Sequence, residues 1–199
     1  MNTPPGFPWR IVLASASPRR RQLVQGLDLP VEVTRVDVDE TPPEGVPADQ
    51  VAEFLSRKKA MAWPGELAPD QVLLTADTTV LVDDLLLNKP DDEADARRML
   101  GILSGRTHRV ITGVCLRTAA DLLSFADETI VHFRSLTAEE IAYYVERHRP
   151  LDKAGAYGVQ DWIGYVGVDR IEGSFYNVMG LPLHRVHRAL QELAATAAD

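Results

Sequence analysis

Leu13-Ala14-Ser15-Ala16-Ser17-Pro18-Arg19-Arg20-Arg21 is where a short apolar run gives way to a helical pattern. Trp9 to Leu13 reads as a buried strand, and Leu23, Val24 and Leu27 form one apolar face of a short helix. Ser17 then falls at an N-cap and Pro18 at the first helical position. Such a junction suits an anion, because free backbone N–H groups and the positive end of the helix dipole favour a phosphate, and two small hydroxyl residues add donors. Arginines in a first turn oppose the macrodipole by about 0.3–1 kcal/mol each, a penalty that a bound polyanion reverses. The same nine residues also read as an ordinary capped helix with solvated arginines.

Working outward, composition bounds the function. A chain of 199 residues, 45% hydrophobic, has material for a real core. A net charge of −8 argues against a general nucleic-acid or membrane-surface binder, so any anion site must be local. The single cysteine, Cys115, excludes a disulfide framework and a thiolate zinc site, and points to a reducing cytoplasm. Residues 1–8 read as a flexible N-terminal tail without the regions of a signal peptide, ahead of a single domain over 9–199.

Along the chain, Val31 to Val38 alternates like a half-buried strand and leads to Asp39 and Glu40. A proline-rich loop, Thr41 to Pro47, precedes a helix that Asp49 is expected to cap and that runs to Ala62, with Arg57, Lys58 and Lys59 near its end. Cations there suit the dipole, so this trio has an ordinary explanation. Gln71 to Val82 is an apolar run long enough for one central strand or two short ones, and Asp77 interrupts it. A carboxylate in such a run is costly to bury unless it is paired, hydrogen-bonded or at work. Asp83-Asp84 reads as a turn, and Asp91 or Asp92 opens a helix that ends before Gly105. Arg109 to Leu116 and Glu128 to Phe133 read as strands joined through a hairpin-like region, Thr118 to Phe125. Thr137-Ala-Glu-Glu140 is a capping box for a helix that stops at Pro150. Leu151 to Leu181, rich in glycine and aromatics, suits loops and short strands lining a pocket, and a last helix follows Pro182. His108, His184 and His187 read as structural or surface histidines. Strands alternating with helices, some joined by short links, imply an α/β fold with a mixed sheet.

Taken together, Ser15-Ala-Ser-Pro-Arg-Arg20, Asp39-Glu40, Lys59-Ala60, Ala76-Asp-Thr78, Lys89-Pro90, Ser104-Gly-Arg-Thr-His108, Asp152-Lys-Ala-Gly-Ala-Tyr-Gly-Val-Gln160 and Gly180-Leu-Pro182 resemble the Maf-like nucleoside triphosphate pyrophosphatases in order and spacing. The first and seventh of these motifs are the specific ones. The resemblance implies a cytoplasmic enzyme with a fold similar to the inosine triphosphate pyrophosphatases, an elongated mixed β-sheet with flanking helices and two lobes around a cleft. It implies cleavage of a nucleoside triphosphate between its α and β phosphates, with a divalent metal cation, Mg²⁺ or Mn²⁺. The Ala-Asp-Thr and Gly-x-Gln elements look like the branch acting on dTTP and UTP. The 7-methyl-GTP branch carries a different residue pair after its aspartate and lacks Gly-x-Gln. Where the family often has glycine after the glutamine, this chain has Asp161-Trp162.

On that resemblance, Ser15, Ser17 and Arg20 bind substrate phosphates, with Lys59 and Lys89 neutralising charge that hydrolysis moves onto the equatorial and leaving oxygens. Glu40 and Asp77 hold the metal, or one of them accepts the proton of the attacking water, a role given by analogy to Asp77. Arg19, Thr78 and Gln160 match the positions that select the base. The expected partner is a small-molecule nucleoside triphosphate, with neither nucleic acid nor membrane, and the chain is compatible with a homodimer. Two alternatives stay open: a non-catalytic nucleotide-binding regulator of cell division, and a 7-methyl-GTP pyrophosphatase. A mere binding module has little use for Asp77 inside an apolar strand.

Overall fold

Strand β1, Arg10–Ala14, lies between two parallel neighbours, β2 (Val31–Thr34) and β3 (Gln71–Val82), which is the arrangement a near-continuous apolar run requires. These elements belong to a computed structural model that describes residues 7–42 and 44–196. Seven strands form one mixed sheet, in the order β2-β1-β3-β5-β6-β7, with β4 (Leu85–Leu87) antiparallel to the end of β3. The others are β5, Thr107–Arg117; β6, Leu122–Phe133; and β7, Val168–Glu172, antiparallel to β6. Helices flank this sheet: α1 Pro18–Gln25, α2 Val51–Ala62, α3 Glu93–Leu103, α4 Ala138–His148, the short α5 Trp162–Gly167 and α6 Phe175–Val178, and α7 Leu183–Thr196.

The described chain groups into two compact units. The first holds the chain up to Asp77, Thr112–Asp127 and the chain from Gly180 onward, and the second holds Thr78–Ile111 and Glu128–Met179. In the first, Val12, Ala14, Ala60, Leu73 and Cys115 make one buried cluster. Cys115 is a free thiol there, pushed up to about 11 chiefly by burial. In the second, Leu100 and Leu103 of α3 and Tyr144 and Val145 of α4 join Val80, Val131, Phe133 and Ile163 in a larger core. The tail expected over residues 1–8 lies outside the described residues except for Phe7 and Pro8, and the Phe7 ring packs 4.8 Å from that of His187. Among the described residues, no helix is long and apolar enough to cross a membrane.

Local chemistry explains where the elements stop. The strand expected over Val31 to Val38 ends at Thr34, where its registered partner among the described residues, β1, ends opposite it at Ala14. The following residues, through Glu40, lie outside any strand. Asp49 does not cap α2: it sits in a 3-10 turn, Ala48–Gln50, and the cap position is Gln50, with no side-chain bond. The turn between β5 and β6 is shorter than expected, since the Thr118 hydroxyl accepts from the amides of Ala120 and Asp121 and closes it within four residues. The capping box at Thr137 and Glu140 is present, and Arg149 ends α4 in the left-handed conformation before Pro150. Between Leu151 and Leu181 the chain is more regular than the loops and short strands expected, with α5, β7 and α6 in succession.

Candidate active site

The first unit gathers charge around one ammonium. Lys59, on the last turn of α2, is nearly buried, and its Nζ lies 2.5 Å from Asp77 Oδ1 and 2.8 Å from Glu40 Oε1. The adjacent Lys58 turns outward and donates to the Asp39 carbonyl at 2.6 Å, which helps hold the chain that presents Glu40. The two neighbouring lysines therefore have separate tasks. Asp77 is buried in β3 between Thr75 and Thr79, and Thr75 donates its hydroxyl to the Ser56 carbonyl of α2 at 2.7 Å, tying the helix to the strand beside the ion pairs. The acid that looked costly in an apolar run is thus compensated by a cation from a neighbouring helix.

The serine turn organises a second cation. Ser17 caps α1 as expected, its hydroxyl accepting from Arg20 N, and Pro18 occupies the first turn. Ser15 Oγ accepts from Ser17 N at 3.2 Å, and Arg21 N donates to the Ser17 carbonyl. These bonds revise one expectation: the amides of Ser17, Arg20 and Arg21 are already used and Pro18 has none. Fewer free amides remain at this turn than the sequence implied, while the serine hydroxyls still have protons to donate. Arg20 sends Nε to the Gly180 carbonyl and Nη1 to that of Ala76, both at 2.8 Å. The Gly180-Leu-Pro182 motif thereby has a task, since it receives the arginine that also holds the residue before Asp77. Burial pulls the Arg20 guanidinium below its ordinary value, and the Asp77 charge opposes that shift. Arg20 is consequently part of the fold as well as of the charge cluster, and its loss would leave two carbonyls unpaired.

Thr78, Lys89 and Gln160 belong to the second unit, where the long glycine motif is held from several sides. Gly155, at φ +66°, donates its amide to the Asn88 carbonyl at 3.1 Å, next to Lys89. Ala156 follows at φ +59°, a strained conformation for a residue with a Cβ. Tyr157 OH meets Nε2 of the buried His108 at 2.7 Å, and Phe133 packs edge-on to both rings. Burial lowers His108 to about 3, so it is a neutral structural histidine, in line with the sequence reading. Gln160 stands on the wall of a pocket of about 580 Å³, with Tyr165, Arg170, Phe175 and Met179 among its other walls. Its Oε1 is buried without a hydrogen-bond partner among the described residues.

Sequence reasoning passed over Tyr144, and it noted Asp161 only as a departure from the family's glycine, without a partner for it. Tyr144 OH, projecting from α4, donates to Asp161 Oδ2 at 2.9 Å and accepts from Gly158 N at 3.1 Å. Burial and the Asp161 charge push this phenol above its ordinary range. On α4 the residue counts only as one more apolar position, and nothing local signals a hydroxyl bond to a turn 14 residues on.

The donor set fits a hard divalent cation. Glu40 and Asp77 both bring carboxylate oxygens to the Lys59 ammonium, and two carboxylates together with substrate phosphates and water are the kind of oxygen donors that Mg²⁺ takes. No cluster of three or more His, Cys, Asp or Glu side chains suited to a metal exists among the described residues, so an ion here would take its other ligands from elsewhere.

Comparison with known proteins gives this arrangement a context. Residues 10–193 match the family described as Maf-like protein. The chain is similar to a dTTP/UTP pyrophosphatase of Porphyromonas gingivalis (strain ATCC 33277), 48% identical over 187 residues that cover 92% of this chain and 94% of that protein. It is 46% identical over 186 residues to one of Phocaeicola vulgatus, covering 93% and 96%. A third, from Flavobacterium johnsoniae, is 43% identical over 185 residues, covering 93% and 95%. With a match spanning nearly all of the described residues, from β1 into α7, the chain belongs to the Maf-like protein family.

Proposed function

We propose that this protein is a nucleoside triphosphate pyrophosphatase that hydrolyses dTTP and UTP to the monophosphate and pyrophosphate. The observation that carries this reading is the convergence of Glu40 and Asp77 on Lys59, because a protein that only bound phosphates would need the cation without two acids beside it. The similarity to dTTP/UTP pyrophosphatases over most of both chains supports the substrate class.

Each residue has a task in the reaction. Ser15 and Ser17 donate hydroxyl protons to phosphate oxygens, and Arg20 and Lys59 offset their charge; Lys89 is assigned to the same task through the family motif. Asp77 accepts the proton of a water whose oxygen bonds to the α-phosphorus as the α–β bridging oxygen departs with pyrophosphate. Lys59, touching both acids, holds Asp77 in its orientation and keeps Glu40 close. Glu40 and Asp77 would hold a divalent cation, which neutralises phosphate oxygens when bound. Thr78, Arg19 and Gln160 distinguish the base, Gln160 by offering an amide that donates and accepts. A buried, unpaired cysteine suits the cytoplasmic setting proposed for it.

The test is incubation with a panel of nucleoside triphosphates plus Mg²⁺ or Mn²⁺, with monophosphate, diphosphate, phosphate and pyrophosphate separated. Monophosphate and pyrophosphate in equal amounts, fastest from dTTP and UTP, is the expected result. Preference for 7-methyl-GTP would move the chain to that branch, and tight binding without products would favour the regulator.

A further inference from the structure

The turn that presents Gln160 is closed by Asp161 N donating to the Gly158 carbonyl at 3.0 Å, and one phenol holds both of its ends. Tyr144 is fully buried, and its single hydroxyl gives its proton to Asp161 and receives that of Gly158. Asp161 stands at the N-cap position of α5, where an aspartate ordinarily accepts from its own helix amides, yet its side chain makes no capping bond. Its carboxylate is instead committed to Tyr144, with Lys153 Nζ 3.8 Å away. Gly158 is the residue this packing demands, since a Cβ there would lie 2.5 Å from Asp161 Oδ2. Gln160, inside the clamped turn, keeps a buried Oε1 with no hydrogen-bond partner among the described residues, on the pocket wall. A buried acceptor on a pocket wall that the described residues leave unmatched calls for a partner, and a bound ligand can supply one.

We propose that Tyr144, acting through Asp161, is a positioning residue for base selection: it fixes the Gly158–Asp161 turn so that the Gln160 amide meets the pyrimidine edge in one orientation. This rests on the reading of Gln160 as the base-facing amide, and it makes Asp161, where this chain departs from the glycine often found in its family, the acceptor that the clamp requires. A site built to hydrogen-bond its substrate discriminates strongly only when its polar group is held in place, because a mobile amide satisfies wrong bases too.

The test is the ratio of kcat/KM for dTTP to that for dGTP, which does not depend on the fraction of enzyme folded. Tyr144→Phe keeps the ring and removes the clamp, and it is expected to lower the ratio about tenfold, the worth of one well-placed hydrogen bond, with KM for dTTP rising far more than kcat falls. Asp161→Ala, which deletes the acceptor, is expected to repeat the defect; Asp161→Asn, which still accepts from the phenol, is expected to restore most of the ratio. Gln160→Ala separates the two ideas. If it erodes the ratio while Tyr144→Phe and Asp161→Ala leave it intact and change only the melting temperature, the clamp is overturned and the base reading stands. If Gln160→Ala leaves the ratio unchanged, the base reading fails and the clamp falls with it.

Discussion

Lys59 with its two acids and the Gly158–Asp161 turn with its phenol are built from opposite materials. The first is an assembly of formal charges drawn from a loop, a helix and a strand, so each member is costly to bury without the others. The second is made of hydroxyl and backbone bonds around a buried tyrosine, with one carboxylate at its edge. On the proposed function, charge brought together from distant segments would set whether chemistry happens, while the phenol–carboxylate clamp would set how one side chain is aimed. Changes in the first region should therefore act on rate and in the second on KM and selectivity.

The largest break in this contrast is expected from Asp77→Asn, which keeps shape and removes the proton acceptor. Turnover should fall by about 10²–10⁴, the usual worth of a general base, while the variant folds and binds nucleotide. Pyrophosphate release measures it, and near-normal release would shift the base role to Glu40. Next is Lys59→Met, which leaves Asp77 buried beside no ammonium and Glu40 near it. A loss of about 3–5 kcal/mol of stability or of transition-state binding follows from breaking a buried ion pair. Denaturant melts and kcat/KM read the two parts, and a loss confined to KM would mean that the lysine serves binding alone.

On the turn side, Gly158→Ala forces the Asp161 carboxylate aside and so breaks the phenol bond, with a cost of about 1–3 kcal/mol in stability for an overpacked site. KM for dTTP should rise while kcat stays within a few-fold, and a collapse of kcat instead would erase the contrast. The last effect, outside both regions, is a pH slope from His108. It is neutral in the folded protein down to about 3, whereas in the unfolded chain it takes a proton near 6.5, so between these values unfolding binds protons and stability rises with pH. His108→Asn should flatten that rise by up to about 1.4 kcal/mol per pH unit in urea melts between pH 6 and 4. An unchanged slope would show that other groups govern acid sensitivity.

What the sequence made legible was whatever depends on neighbours in the chain. Ser17 and Pro18 at the start of α1, the Thr137 capping box and Asp77 as a misfit in an apolar strand all follow from spacing and composition. The length of β2 was not legible, because it depends on where β1 stops. The use of the Ser17 and Arg20 amides escaped for a related reason, since the expected anion site ignored competition from the serines themselves. Lys58 and Lys59 look alike until the carbonyl of Asp39 takes one and the acids take the other. Tyr144 and Asp161 could be joined only by packing α4 against a turn whose glycine gives no hint of what covers it.

Cys115 has a practical consequence. It is the only thiol, fully buried, and its pKa of about 11 leaves about 0.1% thiolate at pH 8, so an alkylating reagent can modify it only when the core of the first unit opens. Labelling rate is thus an intrinsic clock for opening, needing no engineered probe. A nucleotide that binds only the closed form slows that clock in proportion to its occupancy. Ligand affinity can then be followed in variants that no longer turn over, Asp77→Asn among them, by mass spectrometry of a single alkylated site.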